Sequence, residues 1–432
     1  MGLQGDKMGT QEANQKTASP WIGNPWVQLV AGLFGMMMIS SCQYAWTLFV
    51  PSLTETFKWS LPVVQLAFTL FICVMTYAAP LTGYLLDKFG TRLFFTLAAF
   101  CIGIGWSALG LVKSIAGLYS FYGLAGIGAS LIYTGGIATA LKWFPQRRGL
   151  ASGVMAAGFG SGAAPLIPLI GYLLSHYGYT TAFMCTGIGF GLVLLIVAQI
   201  LRFPTSAQTQ ALGTASMAAS EGESFSPLEM LKKPQFYLLY LTFAGMASGY
   251  LMVTAQMKPF AKEYGLASNI VILAITLNSI ANGMGRVVWG AISDKLGRER
   301  SMFIDFLICA AAVALLPVLG HNPIMFMVLT FIAMFTFGPI FAFFPPITAD
   351  RFGTRYLATN YGFLYSAKGV GGIVGGWLSS VIILSLGWGF TFYGAAALGV
   401  FAAVSALVLM RIPKPVLKPA PVIVRAGSRT EC

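Results

Sequence analysis

The sequence GYLLDKFGTR at residues 83–92 returns, with few changes, as GAISDKLGRER at residues 290–300. The positions that match at a constant offset of 207 residues are Gly83 and Gly290, Asp87 and Asp294, Lys88 and Lys295, and Gly90 and Gly297. This offset is close to half of the 432 residues. The pattern therefore indicates two halves of similar structure that follow each other in the same orientation.

The composition around this repeat is that of an integral membrane protein. Hydrophobic residues make up 57% of the chain and charged residues only 9%, whereas a typical soluble domain has about 25% charged residues. A soluble fold needs a charged surface, and a disordered chain is poor in hydrophobic residues. The composition excludes both classes.

Twelve stretches are long and apolar enough to cross a membrane as helices, for which about 20 residues are needed. The predicted spans cover residues 27–50, 62–86, 93–112, 115–141, 150–174, 181–201, 235–257, 268–292, 302–320, 324–347, 360–386 and 389–411. Each span must be helical, because the hydrocarbon region offers no water to the backbone groups. The predicted fold class is all-α integral membrane, with twelve transmembrane helices in two six-helix halves.

A polar stretch rich in Ser, Ala, Thr, Gln and Glu separates the sixth span from the seventh. The predicted domain boundaries are residues 1–26 for a cytoplasmic N-terminal tail, 27–203 for the N-terminal six-helix half, 204–234 for a cytoplasmic central loop, 235–411 for the C-terminal six-helix half and 412–432 for a cytoplasmic C-terminal tail.

The basic residues predict the orientation of the spans, because cytoplasmic loops are enriched in Lys and Arg. With the N-terminus inside, 20 of the 26 basic residues fall on the inner side. The four on the outer side are Lys58, Lys113, Lys258 and Lys262. We therefore expect a multi-pass protein of the cell (inner) membrane with both termini cytoplasmic. The net charge of +13 follows from this bias, so the expected partner is the lipid bilayer and not nucleic acid.

The side chains that usually bind metals or perform covalent catalysis are scattered along the chain. The six cysteines and two histidines have no metal-ligand spacing, and the spans contain no pairing of a nucleophile with a base. We expect no metal site, no cofactor and no enzymatic activity, and we expect a monomer.

Two basic residues, Arg286 and Lys368, lie inside the predicted spans eight and eleven. A charge at the bilayer centre costs about 2.5–3.5 kcal/mol on insertion scales, so such a residue usually faces a polar cavity and serves function. No acidic residue is predicted deep in a span, and the nearest candidate, Asp305, is expected close to the cytoplasmic surface. The substrate is therefore expected to be the counter-ion, either one small dianion or two monoanions bound in turn.

Polar and aromatic residues surround these two charges in the predicted helices. Asn278, Asn282 and Arg286 follow at intervals of four residues and so share one helix face. The other candidates for the pocket are Gln43, Tyr44, Tyr133, Phe337, Phe341, Tyr361 and Tyr365. The residues alone leave other interpretations open: Arg286 could bind a backbone carbonyl, the asparagines could join helices, and the aromatic rings could be ordinary packing.

The repeated loop resembles the signature G-x-L-x-D-x-x-G-x-R of the major facilitator superfamily, and nearly the whole chain resembles the oxalate/formate antiporter family within it. That family is related to the monocarboxylate transporters. The stretches that carry the resemblance are GNPWVQLVAG at 23–32, CQYAWTLF at 42–49, KWFPQRRGLASG at 142–153, NGMGRVVWGAISDKLGR at 282–298 and NYGFLYSAKG at 360–369.

The resemblance implies roles for individual residues. Arg286 and Lys368 match the arginine and lysine with which the family binds carboxylates. The predicted substrate-binding set is Arg286, Lys368, Tyr44, Gln43, Tyr133, Asn282, Phe337, Phe341 and Tyr365. The predicted gate, which holds the halves together on the cytoplasmic side when the carrier faces out, consists of Asp87, Arg92, Asp294 and Arg298.

The chain departs from the family at several of these positions. Oxalate-type members have tryptophan where this chain has Phe337 and Tyr365, and tyrosine where it has Phe341. These replacements remove hydrogen-bond donors and change the pocket volume, so the resemblance implies a small carboxylate without specifying oxalate. Proton-coupled monocarboxylate relatives often have an aspartate one turn before the arginine. The equivalent residue here is Asn282, which cannot titrate.

The sequence as a whole predicts a secondary active transporter that exchanges small carboxylates, oxalate/formate-like, across the cytoplasmic membrane by alternating access. A proton-coupled lactate or pyruvate symporter is the first alternative. A carboxylate-binding membrane sensor without net transport is an alternative of a different class.

Overall fold

The computed structural model describes residues 23–205, 208, 224–375 and 379–415, and all regular structure in these ranges is helical. The N-terminal half comprises α1 (Pro25–Tyr44), α2 (Trp46–Phe57), α3 (Leu61–Tyr77), α4 (Ala79–Phe89), α5 (Thr91–Ala108), α6 (Ile115–Trp143), α7 (Arg148–Ser161) and α8 (Ile167–Ile200). The short α9 (Pro227–Met230) precedes the C-terminal half. That half comprises α10 (Pro234–Glu263), α11 (Ser268–Leu296), α12 (Arg298–Leu319), α13 (Pro323–Phe337), α14 (Ile340–Phe352), α15 (Leu357–Tyr365), α16 (Ala367–Ile373) and α17 (Ser379–Arg411).

These helices account for the twelve predicted spans, although several spans are broken. In the described ranges nine helical stretches are long and apolar enough to cross a membrane, and two of them combine neighbouring helices, α1 with α2 and α13 with α14. A tenth span forms if α3 and α4, which meet at a bend of 43°, are taken together. The other two predicted spans, the fifth and the eleventh, are interrupted: α7 ends before α8 begins, and α15 is followed by the short α16. The helices α8 and α17 each run through a glycine with positive φ, Gly178 and Gly387, where one span turns into the next.

The breaks place side chains at the centre of the molecule. Tyr44, Phe337 and Tyr365 are each the last residue of a helical segment, and Lys368 lies in the first turn of α16. Non-helical backbone at membrane depth is tolerated where it is buried in protein or lines a cavity. The interrupted helices therefore mark the region where a polar site is built.

The first glycine of each repeated loop lies at a crossing of the two halves. A methyl group added to Gly83 would collide with the backbone carbonyl of Ala358, and one added to Gly290 would collide with the carbonyl of Gly149. Small residues allow helix backbones to approach this closely. The matching glycines of the repeat are thus explained by two equivalent contacts, α4 with α15 and α11 with α7.

The end of the central loop packs against the C-terminal half. The Phe225 N–H donates to the Phe352 carbonyl at 2.9 Å, and Asn360 Nδ2 donates to the Phe225 carbonyl at 3.1 Å. The Arg355 N–H donates to Ser224 Oγ at 3.3 Å, and the Phe225 ring is 1% exposed. This segment therefore fixes the connection that leads into the N-terminus of α15.

Replacing Phe225 by Ala should destabilise the protein and loosen the start of α15. Truncation of a buried Phe costs about 3–5 kcal/mol in protein cores, so we expect a clear fall in the melting temperature of the purified protein. Leu228→Ala is the matched control, because Leu228 follows three residues later and is 73% exposed. Equal melting temperatures for Phe225→Ala and Leu228→Ala would show that the segment is not held by the Phe225 ring.

Candidate functional site

The guanidinium of Arg286 lies between the two halves and is 1% exposed. Its Nη1 donates to the Ala156 carbonyl of α7 at 2.6 Å, and its Nη2 donates to Asn282 Oδ1 at 2.8 Å. The Nε is buried without a hydrogen-bond partner in the described structure. A methyl group on Gly160 would lie 2.6 Å from the Arg286 Cζ, which is tighter than real side chains allow. Arg286 thus reaches across to a glycine surface on α7, and its Nε–H is not engaged in the described structure.

Lys368 is 7% exposed and approaches the same region from α16. Its Nζ donates to the Tyr365 hydroxyl at 3.2 Å and lies 5.3 Å from the centroid of the Phe159 ring. The Phe341 ring centroid is 5.7 Å from Lys368 Nζ and 4.8 Å from Arg286 Cζ. The two cationic residues therefore flank one aromatic ring.

Aromatic side chains from both halves form the wall around the cations. Tyr133 stacks on Tyr365 with ring centroids 4.4 Å apart, and Phe159 lies 5.1 Å from Tyr133 and 6.0 Å from Tyr44. Rings packed in this way exclude water and thereby strengthen the charge interactions of the cations that they surround.

Phe337 has a less direct position than the sequence suggests. Its aromatic neighbour is Tyr250, with centroids 5.7 Å apart, whereas the rings that lie beside the two cations in the described structure are Phe159, Phe341 and Tyr365. Sequence reasoning missed both Phe159 and Tyr250. Phe159 stands between Gly158 and Gly160 in the fifth predicted span, and a large ring among residues that allow close helix approach was the available signal.

Two cavities open beside the cations. One of about 540 Å³ is lined by Lys368 and Gln43, and one of about 390 Å³ is lined by Tyr44 and Asn282. The Oε1 atom of Gln43 is buried without a hydrogen-bond partner in the described ranges. Predicted site residues thus divide between a cavity on the Lys368 side and a cavity on the Arg286 side.

Both cavities lie on the side of the cations away from the repeated loops. On α11 the smaller cavity is lined by residues from Ile275 to Asn282, which precede Arg286, whereas Asp294 follows it. On the Lys368 side, the residues from Lys368 to Ile373 line the larger cavity and follow the first turn of α15. The molecule is therefore open on one side and closed at the repeated loops.

The closure at the first repeat is made by Asp87. Its carboxylate accepts hydrogen bonds from the Ala358 N–H at 3.4 Å, from the Thr359 N–H at 2.8 Å and from the Thr359 hydroxyl at 2.8 Å. These N–H groups belong to the first turn of α15 in the other half, where the positive end of the helix favours an anion. Lys142 lies 3.9 Å from the same carboxylate.

The closure at the second repeat has the same design. Asp294 accepts hydrogen bonds from the N–H groups of Gly149 and Leu150, each at 2.8 Å. These are the second and third residues of α7, as Ala358 and Thr359 are of α15. Neither helix is capped by the side chain of its own N-cap residue. Each repeated aspartate therefore caps a helix of the opposite half.

Asp350 connects the second closure to both halves. Arg298 Nη2 lies 2.6 Å from Asp294, and its Nε lies 3.4 Å from Asp350. Asp350 also pairs with Arg148 of the N-terminal half. Arg298 therefore supports the contact between the halves through Asp294 and Asp350, which bind α7 of the other half. The sequence analysis did not predict Asp350 or Arg148.

Arg92, which the sequence grouped with these residues, lies elsewhere. Its Nε and Nη2 donate to Gln199 Oε1 at 2.9 and 2.6 Å, within the same half. The physical reason is register: Arg298 is the first residue of α12, directly after Gly297, whereas Arg92 is the second residue of α5 after Gly90. Successive residues of a helix point about 100° apart, so Arg92 faces another direction. The contact between halves in this structure is therefore built from Asp87, Asp294 and Arg298 without Arg92.

Asp305 also differs from expectation. Its side chain is completely buried in α12 instead of facing the aqueous surface, and neither carboxyl oxygen has a partner in the described structure. It therefore forms no ion pair with Arg286 or Lys368. In the described part of the chain, neither of these cations has an acidic partner within 4.0 Å.

Comparison with known proteins agrees with this architecture. The sequence profile of the Major Facilitator Superfamily matches residues 29–267 and 237–426. The oxalate:formate antiporter of Oxalobacter formigenes is 36% identical over 413 residues, which cover 95% of this chain and 97% of that protein. Monocarboxylate transporter 12-B of Danio rerio is 24% identical over 71% of each chain.

Solved structures show the same fold. The proton:xylose symporter XylE aligns with a TM-score of 0.67 at 14% identity, covering 90% of this chain and 96% of that one. The human organic anion transporter MFSD10 aligns with a TM-score of 0.66 at 13% identity, covering 90% and 100%. The predicted fold class is confirmed, and the relatives are transporters, not enzymes. The chain is a membrane transporter that belongs to the major facilitator superfamily and, within it, to the family of the oxalate:formate antiporter.

Proposed function

We propose that this transporter exchanges small carboxylates of the oxalate or formate type by alternating access. The observation that carries the proposal is the pair of buried cations, Arg286 and Lys368, which flank the Phe341 ring and have no acidic partner in the described structure. A carboxylate can accept two hydrogen bonds from the planar guanidinium, while the compact ammonium acts as a point charge. The relative that is an oxalate:formate antiporter supports this substrate class.

The substrate neutralises the site in this mechanism. Two uncompensated charges in a closed, water-poor site are unfavourable, so the empty carrier resists the occluded state through which the halves must pass. A bound carboxylate removes this barrier in both directions. Transport then proceeds as exchange, because the carrier returns only with another anion.

The remaining pocket residues shape and orient the anion. We assign substrate contact to Tyr44, Gln43, Tyr133, Asn282 and Tyr365, and the apolar wall to Phe341. Phe337, which packs against Tyr250, completes the set. Asn282 holds Arg286 Nη2 through its Oδ1 atom. An amide at this position cannot release or take up a proton, which favours exchange over proton symport.

We further propose that the repeated loops lie at the cytoplasmic face of the cell (inner) membrane, with both termini inside. The basic residues of the loops support this orientation. In this orientation the structure is outward-facing, and Asp87, Asp294 and Arg298 close it on the cytoplasmic side. We also propose that the two halves comprise residues 27–203 and 235–411 and that the protein functions as a monomer.

Binding of candidate substrates to the purified protein tests this proposal. A ligand that binds the native state raises the melting temperature according to its concentration and affinity. We expect oxalate, formate or a related small carboxylate from a series with lactate, pyruvate and malonate to stabilise the protein, and neutral analogues such as the amides to have no effect. Equal stabilisation by acids and amides would contradict a site built on two cations.

A further inference from the structure

A groove on the outer surface of the molecule runs between α1 and α8. It has a volume of about 420 Å³, and in the described part of the chain only apolar and aromatic side chains line it, among them Val30 and Phe34 of α1 and Val193 and Ile196 of α8. Val30, Phe34 and Ile196 are exposed and belong to the first and sixth predicted spans, so this face meets the hydrocarbon region of the bilayer. The groove therefore suits an acyl chain.

A polar cavity continues the groove at one end. It has a volume of about 270 Å³, and Trp143, Gln146 and Arg147 contribute to its lining. Trp26 lines both the groove and the polar cavity, and its ring packs edge-on against Phe144 with centroids 5.0 Å apart. Tryptophan is enriched in membrane proteins at the level of the lipid headgroups. The groove and the polar cavity thus join where an acyl chain would meet its headgroup.

Two arginines at the polar cavity have unused hydrogen-bond donors. The Arg147 side chain is exposed, and its guanidinium forms no ion pair or hydrogen bond in the described structure. Arg202 lies beside the cavity, because its carbonyl accepts from Trp143 Nε1 at 2.7 Å, and its Nε is buried without a partner in the described ranges. Guanidinium groups are donors only and bind phosphate with two parallel hydrogen bonds. The polar end of the groove therefore suits a phosphate group.

The polar cavity lies on the closed side of the molecule. Lys142, which precedes Trp143, lies 3.9 Å from the Asp87 carboxylate of the first repeat. In the orientation proposed above this side is the cytoplasmic face, where the membrane leaflet carries anionic lipids. An apolar groove that ends at two unused donors on this face matches one class of ligand, an anion with a hydrocarbon chain.

We propose that the groove between α1 and α8 and the polar cavity at its end together bind one anionic phospholipid. Its acyl chain lies along Val30 and Ile196, and its phosphate accepts hydrogen bonds from Arg147 and Arg202. In the described structure this lipid site shares no lining residue with the two cavities beside the buried cations. Lipid binding is therefore independent of the transported substrate.

Native mass spectrometry of the purified full-length protein tests the lipid site, because it counts bound lipid at each lipid concentration. We expect phosphatidylglycerol to bind more tightly than phosphatidylcholine with the same acyl chains, and glycerol 3-phosphate, which has no chain, not to bind. Arg147→Gln should weaken the binding of phosphatidylglycerol about tenfold, the effect of one lost charge-assisted hydrogen bond, and should leave phosphatidylcholine unchanged. Val30→Trp, which fills the groove, should weaken the binding of both lipids.

Two exposed positions in the C-terminal half supply matched controls. Arg300→Gln removes a basic group that is predicted on the same side of the membrane, and Val288→Trp adds the same ring to α11; both variants should bind phosphatidylglycerol like wild type. Equal affinity of wild type and Arg147→Gln for phosphatidylglycerol would overturn the headgroup site. An equal loss in Val30→Trp and Val288→Trp would overturn the groove, and Ile196→Trp supplies the same comparison if Val30→Trp does not fold. Displacement of phosphatidylglycerol by glycerol 3-phosphate would assign the cavity to a free phosphate and contradict a lipid site.

Discussion

Replacing Arg286 by Gln is expected to abolish carboxylate binding and exchange while the protein remains folded. The substitution removes the charge and the fork of donors that meets the carboxylate. A hydrogen bond to a charged group contributes about 1.5–3 kcal/mol, and each 1.4 kcal/mol corresponds to about a tenfold change in affinity. The loss of two such bonds predicts at least a hundredfold weaker binding, which titration calorimetry with the stabilising carboxylate would measure.

Two variants serve as controls for this result. Arg92→Gln removes a charge of the same type at an exposed position, where the guanidinium donates to Gln199 of the same half, and should bind substrate like wild type. Arg286→Lys keeps the charge without the planar fork, so it should retain weak binding. Substrate affinity near wild type in Arg286→Gln would refute the assigned role of this residue.

Replacing Asp294 by Asn is expected to open the closed side of the molecule. The carboxylate accepts from two backbone N–H groups at the start of α7 and pairs with Arg298, and the neutral amide cannot make all of these contacts. The loss of one charge-assisted contact, about 1.5–3 kcal/mol, predicts a population of the opened state that is roughly 10- to 100-fold larger. The double variant with Asp87→Asn should open further, because Asp87 makes the equivalent contact at the other crossing.

Labelling of a buried cysteine would measure this opening. Ser152 is completely buried between α7 and α14, so Ser152→Cys, in a chain whose native cysteines have been replaced, reports access from the closed side. The rate of modification by a membrane-impermeant maleimide should rise in Asp294→Asn. Glu55→Gln, which removes an exposed acidic group outside the repeats, should leave the rate unchanged. Equal rates in the Asp294→Asn and Glu55→Gln backgrounds would show that the aspartate does not hold the halves together.

The sequence was sufficient to predict the arrangement of the membrane helices in two halves and the two charged residues at its centre. The glycine and aspartate of each repeat could be recognised because both are needed at the helix crossing while the surrounding sequence varies. The glycine is needed because the crossing leaves no room for a side chain. The aspartate is needed because the N-terminus of the opposite helix requires an anion. Arg286 and Lys368 stood out because almost every other basic residue has a place at the membrane surface.

The remaining features depend on how the helices are interrupted. An apolar run predicts a span but does not reveal that α1, α13 and α15 end at Tyr44, Phe337 and Tyr365. The contacts of Phe159 depend on these breaks, since Lys368 reaches its ring only from the short α16. The docking of Phe225 was also hidden, because a polar loop gives no periodic signal. The position of Arg92, in contrast, could have been predicted from the sequence, because its one-residue shift from Arg298 is visible in the aligned repeats.

The most direct test of the central claim is counterflow of labelled carboxylate in proteoliposomes. If two uncompensated cations, Arg286 and Lys368, make substrate binding a condition for movement of the halves, uptake should be fast into vesicles loaded with unlabelled carboxylate and at background level in empty vesicles. Uptake that is equally fast with and without internal carboxylate would contradict the account.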